Sequence, residues 1–166
     1  MHFPTPPRSC FVPAMPDSAA PARWPAYARV PLFLPVPVRA RADGWTVERQ
    51  GRFIGYLAET GCVAEAARRV GMSRMAAWRL RRRRGAESLA EAWDAVLAMR
   101  TGSDETLPQR KVTRIELVAM AIDGPIRVRM RRGKFTWAWR EPSDSAAIRL
   151  LAPAYAALRR EREGGR

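Results

Sequence analysis

From residue 45 onward the apolar positions of the chain recur at helical spacing. Thr46 is a capping residue ahead of Phe53, Ile54, Leu57 and Ala58, which share one helix face, and Gly61 suits the left-handed residue that ends such a helix. Val63, Ala66, Ala67 and Val70 predict a second helix over 63–70, stopped by Gly71. Ser73 then caps a third, predicted through about Arg83, with Ala77 and Leu80 inward and Met72 plugging the turn. After Gly85 a fourth helix over 87–99 brings Leu89, Trp93, Val96 and Leu97 together. Residues 101–110, polar and holding Gly102 and Pro108, read as a linker.

The second half has its own pattern. Val112 to Ile122 is a helical run closed by Gly124 and Pro125, and Ile126 to Arg140 alternates between apolar and polar residues as a half-buried strand pair does. With Arg132-Gly133 as a two-residue turn, Met130 faces Phe135, Val128 faces Trp137 and Ile126 faces Trp139. All apolar residues then share one face, and Arg127, Arg129, Thr136, Ala138 and Arg140 share the other. This register makes Phe135, Trp137 and Trp139 core or subunit interface, with stacking on single-stranded bases as an alternative. Ser143 or Asp144 opens a last helix through Ile148, Leu151, Tyr155 and Leu158, kinked at Pro153 and followed by a fraying charged tail, 159–166.

Ahead of all this, ten of the 14 prolines precede Asp43, in a segment with neither periodicity. Such a stretch cannot recover its ordering entropy by burial, so residues 1–43 are expected to be a disordered tail. A polyproline ligand for a partner, or a translation start downstream at Met15 or at a valine, are alternatives. The expected fold class is mainly α: a helix-turn-helix bundle over 44–100, the linker 101–110, and a small α+β module (helix, β-hairpin, helix) over 111–158.

Composition narrows the function. At 166 residues the chain holds about one domain, and 30 Lys and Arg against 16 Asp and Glu give a net charge of +14, nearly all from arginine. Such an excess calls for a polyanionic partner, nucleic acid or an anionic membrane. No apolar run approaches the ~18–20 residues needed to cross a bilayer, and Pro4, Pro6, Pro7 and Pro13 break any signal-peptide helix, so the expectation is a cytoplasmic protein without a membrane partner. Cys10 and Cys62 have no metal or disulfide spacing and His2 is the only histidine, so neither a metal site nor a His-activated nucleophile is expected. Phosphate-loop and nucleophile-elbow motifs are absent from the sequence. Glu59, Glu65, Glu87, Glu91 and Asp94 read as solvated helix residues, and neither enzymatic activity nor a cofactor is expected.

The chemistry concentrates in residues 63–82. Ala67 precedes Gly71 by four residues, where crossing helices leave room only for a small side chain, and Ser73 caps the helix that would enter a major groove. Eight arginines lie between Arg68 and Arg84 with no carboxylate among them, as phosphate neutralisation requires. With Ala77 and Leu80 inward, the outward sector holds Met75, Trp78, Arg79 and Arg82. Arg79 and Arg82 are the candidate base readers. Arg68, Arg69, Arg74, Arg81, Arg83 and Arg84 suit phosphates. Trp78 either touches DNA or lies against the first helix. On the hairpin, Arg127, Arg129, Arg131, Arg132 and Lys134 form a candidate second DNA surface, or simply the solvated face of an amphipathic sheet.

Trp45-Thr46 through Phe53, Leu57-Ala58-Glu59-Thr60-Gly61, Ala66-Ala67-Arg68-Arg69-Val70-Gly71-Met72-Ser73 and Ala77-Trp78-Arg79-Leu80-Arg81 together resemble the homeodomain-like helix-turn-helix of small bacterial and phage DNA-binding proteins, including small terminase subunits. The helix, basic hairpin and Ser143-Asp144 helix of the second half are similar to the downstream part of prophage proteins of that kind. The resemblance covers roughly residues 45–152 and departs at Ala146-Ala147 and Pro153. It implies a recognition subunit that binds double-stranded DNA as a homo-oligomer and passes it to a large terminase subunit. A transcriptional regulator shares the same chemistry. A protein-interaction or assembly module whose charge serves solubility is the alternative of a different class.

Overall fold

The computed structural model describes residues 29–39, 41, 43–101 and 111–164. The expectations for residues 1–28 and for the linker positions 102–110 lie outside the described residues.

Thr46 accepts a hydrogen bond from the Arg49 amide at 3.1 Å and starts α1 (Val47–Thr60), which ends where the amide of Gly61 reaches back to the Leu57 carbonyl. Two short helices follow, α2 (Val63–Arg69) and α3 (Arg74–Arg81), then α4 (Glu87–Thr101). A Thr113–Glu116 capping box opens α5 (Arg114–Ile122). Next come β1 (Ile126–Arg131) and β2 (Lys134–Arg140), paired antiparallel, and α6 (Asp144–Gly164). Among the described residues the fold is mainly helical with one small antiparallel sheet. Phe53, Ile54, Leu57, Ala58, Ala66, Ala67, Ala77, Leu80, Leu89, Trp93 and Val96 bury together as their spacing requires.

Three features depart from the sequence-based expectation. Residues 29–39 are part of the body: Val30, Phe33, Leu34 and Val36 are buried, and Phe33 and Ile126 exchange backbone hydrogen bonds. Gln50, fully buried on α1, receives the Val36 amide on Oε1 (2.8 Å) and donates Nε2 to the Val36 carbonyl (3.1 Å), while Ser88 of α4 accepts from the Leu34 amide. The segment therefore needs no regular sheet to satisfy its backbone. Prolines do not prevent this, because each removes a donor that burial would otherwise have to match.

The second departure is the strand register. Met130 does face Phe135, but a bulge in β2 then shifts the pairs to Arg129 with Trp137, Val128 with Ala138, Arg127 with Trp139 and Ile126 with Arg140. One extra residue reverses every side chain beyond it. Ala138 thus turns toward α1 while Trp137 and Trp139 join Arg127 and Arg129 on the opposite face. The reason is clearance: a Cβ on Gly51 would lie 2.9 Å from Ala138 Cβ, and one on Gly55 would overlap the Phe135 ring, so α1 and the hairpin approach too closely for an indole between them. Ile126, with Val128, Met130 and Ala138 beside it, packs on the same cluster as α1 and α4, so the hairpin shares that core.

Third, the helix ends differ. The third helix stops at Arg81, with Arg82 as its C-cap, because Leu80 and Ala86 are both buried and the chain must reverse between them. The last helix continues through Pro153 and the charged residues to Gly164, where fraying was expected. It packs on α5, and Ile148, Leu151, Tyr155 and Leu158 are exposed.

The close approach gives a test with a clear sign. On an uncovered helix, Gly55→Ala would stabilise by about 1 kcal/mol through propensity. Against Phe135 we expect it to destabilise by about 1–3 kcal/mol in urea unfolding. Adding Phe135→Ala should make the alanine at 55 favourable again relative to glycine in that background.

Candidate nucleic-acid interface

The path from α2 to α3 is set by a few small residues. Gly71 takes a left-handed conformation (φ 73°), and the amides of Gly71 and Met72 donate to the Arg68 and Ala67 carbonyls. Ser73 Oγ accepts from the Ala76 amide at 3.1 Å and caps α3. Ala67 and Ala77 are fully buried where the helices meet, and the Trp45 indole donates to the Ala76 carbonyl. Among the described helices and strands, α3 contacts α2 and α4.

The eight arginines of this region divide by what they touch. Arg69 donates to Glu59 at 2.7 Å and to Glu65 at 2.9 Å and lies over the Tyr56 ring, tying α2 to α1. Arg81 donates through one nitrogen to both Asp94 oxygens at 2.8 and 2.7 Å, stacked beside Trp78 and Trp93, and ties α3 to α4. These two link neighbouring helices, whereas the sequence-based expectation assigns them to phosphates. Arg68 pairs with Glu65 yet keeps most of its side chain in solvent. Arg74 is exposed, and Arg79, Arg82, Arg83 and Arg84 are exposed without an ion pair to any described residue.

Trp78 is half-buried, packed on the shared core with its ring beside Trp93 of α4 at a centroid distance of 5.2 Å. The outer surface of α3 is therefore Ser73, Arg74, Met75 (61 % exposed) and Arg79. Arg82 sits at its end, and Arg83 and Arg84 lie in the turn beyond. On the hairpin, Arg129, Arg131, Arg132 and Lys134 are exposed, and Arg127 is half-buried 2.9 Å from Glu141.

The carboxylates read as solvated are partly engaged. Glu65 stands three and four residues before Arg68 and Arg69, a pairing visible in the sequence. Glu59 and Asp94 meet partners from other helices, which no local pattern reveals. The guanidinium groups of Arg68 and Arg69 hold the Glu65 carboxyl down to about 2. Burial works to raise Glu59, but bonds from Arg69 and from the Phe135 amide outweigh it and lower it. Both shifts favour the folded state above the ordinary carboxylate range. That contribution falls as pH drops through the lowered values.

Among the described residues no group of three or more His, Cys, Asp or Glu is placed to hold a metal, and no helix is long and apolar enough to cross a membrane. Comparison with known proteins finds no matching family model, no matching curated protein and no matching solved structure.

The division among the arginines is measurable. Arg81→Ala should cost about 1–2 kcal/mol of unfolding free energy through the lost charged hydrogen bonds and ring contact. Arg82→Ala should change it by less than about 0.5 kcal/mol, the usual range for a surface substitution.

Proposed function

We propose that this chain is a non-catalytic double-stranded DNA-binding protein, with α2 and α3 acting as a helix-turn-helix and α3 as the recognition helix. The observation that carries the reading is the surface left open on α3: Ser73, Arg74, Met75 and Arg79, continued by Arg82, Arg83 and Arg84, four of these arginines lacking any described carboxylate partner. Neither α5, α6 nor the hairpin packs on it.

Arg79, at mid-helix, is the base reader, since a guanidinium can bond guanine O6 and N7 together. Arg68, Arg74, Arg82, Arg83 and Arg84 take phosphates and release condensed counterions, which positions the protein without reading sequence. Ala77 and Leu80 hold the opposite face of the helix in the core, so this array is presented by a supported element. The biological role we attach to this chemistry is that of the resemblance, recognition of DNA on behalf of a separate motor subunit.

Duplex affinity is expected to fall with salt at a log–log slope of roughly −4 to −5 if about five phosphates are neutralised. In a gel-shift assay at ~0.15 M salt, Arg79→Ala with Arg82→Ala should weaken binding about tenfold or more, at unchanged stability. A salt-insensitive curve, or unchanged affinity in the double variant, would overturn the reading.

A further inference from the structure

We propose that the outer face of the hairpin is a second nucleic-acid site, distinct from α3 and suited to unpaired bases. The bulge in β2 places Trp137 directly across from Arg129 and Trp139 across from Arg127. Glu141 confirms that the last two share a face, because its Oε2 lies 2.9 Å from Arg127 Nε and 3.3 Å from Trp139 Nε1. Trp137 is 62 % exposed and has no ring contact with a described residue, while Phe135, one register step away, is packed on Tyr56. An indole left in water on a rigid strand is unusual for a side chain of its apolar area.

Its surroundings identify the ligand. Arg129, Arg131 and Lys134 are exposed around it, and the nearby carboxylates are engaged, Glu141 by Arg127 and Glu59, which also attracts Lys134, by Arg69. A second copy of the chain seated here about a two-fold axis would bring the same cations against each other, whereas a phosphate backbone neutralises them. A duplex presents base edges and phosphates, its base faces being stacked internally. A single strand presents those faces. Trp137 is exposed and Trp139, about 6–7 Å further along the same face of β2, is half-buried, which leaves the Trp137 ring open to one stacked base with cations beside the backbone. Glu141 positions Trp139 and Arg127, and Trp137 is the open platform.

The test uses the full chain with fluorescein-labelled oligothymidylate, oligouridylate and a blunt duplex, read by anisotropy at ~0.15 M salt. Trp137→Ala should weaken single-strand binding about 5- to 100-fold, the range for loss of one stacked base, and Trp137→Phe should retain most of it. Duplex affinity should stay within about twofold, and Arg79→Ala with Arg82→Ala should show the reverse pattern, so failure of one site is separable from failure of the other. The tighter of the two single strands assigns the sugar. Equal single-strand affinity in wild type and Trp137→Ala overturns the proposal. So does a change in oligomeric state by light scattering with single-strand affinity untouched, which would make Trp137 a protein contact.

Discussion

The arrangement of this protein depends on how closely α1 and the hairpin approach. Gly51, Gly55 and Glu59 lie one turn apart in succession and form a stripe along α1 that faces β2. The two glycines let Ala138 and Phe135 reach the helix backbone, and Glu59, at the end of the stripe, accepts the Phe135 amide at 2.8 Å and the Arg69 guanidinium at 2.7 Å. A two-stranded hairpin is marginal by itself. Here the same stripe supplies its apolar support and joins it, through a single carboxylate, to α2. Glycine within a helix costs about 1 kcal/mol each in propensity, which the packing of Phe135 and Ala138 offsets.

That constraint also explains which parts of the fold were legible in the sequence. Helices announced by caps and apolar spacing appear with their boundaries within a few residues, since Thr46 and Ser73 act locally. The hairpin turn was legible for the same reason. Its register was not: alternation sets two tryptophans against one alanine and assigns the larger apolar area to the core, but steric clearance at Gly51 admits only the alanine. The signal that was available is Ala138 itself, a small residue in an otherwise bulky strand, together with a pair of glycines at i and i+4 on a helix.

Composition hides the packing of residues 29–39. Pro31, Pro35 and Pro37 suggested a stretch unable to fold, yet Val30, Phe33, Leu34 and Val36 are apolar among them and bury. Proline lowers the entropy of the unfolded chain and contributes no amide to satisfy, so such a segment can lie buried once its remaining amides find acceptors. Those acceptors, Gln50, Ser88 and the Ile126 carbonyl, come from three separate elements. A glutamine on the buried face of an amphipathic helix, just ahead of Phe53 and Ile54, was the sequence hint.

For the arginines, composition sets the total charge and only geometry sorts it. Arg69 and Arg81 lie among residues of identical type, and what separates them is a carboxylate contributed by a different helix. Their engagement matters to the others. An eight-residue helix has negligible stability alone, so the direction in which Arg79 points depends on what holds α3: the Ser73 cap, the buried Ala77 and Leu80, the Trp45 bond to Ala76, and Arg81 clasped by Asp94 over Trp78 and Trp93. The charge is therefore divided in labour. Some arginines build the platform, and those that remain in solvent project from a backbone it already orders, so that only their side-chain rotamers are left free.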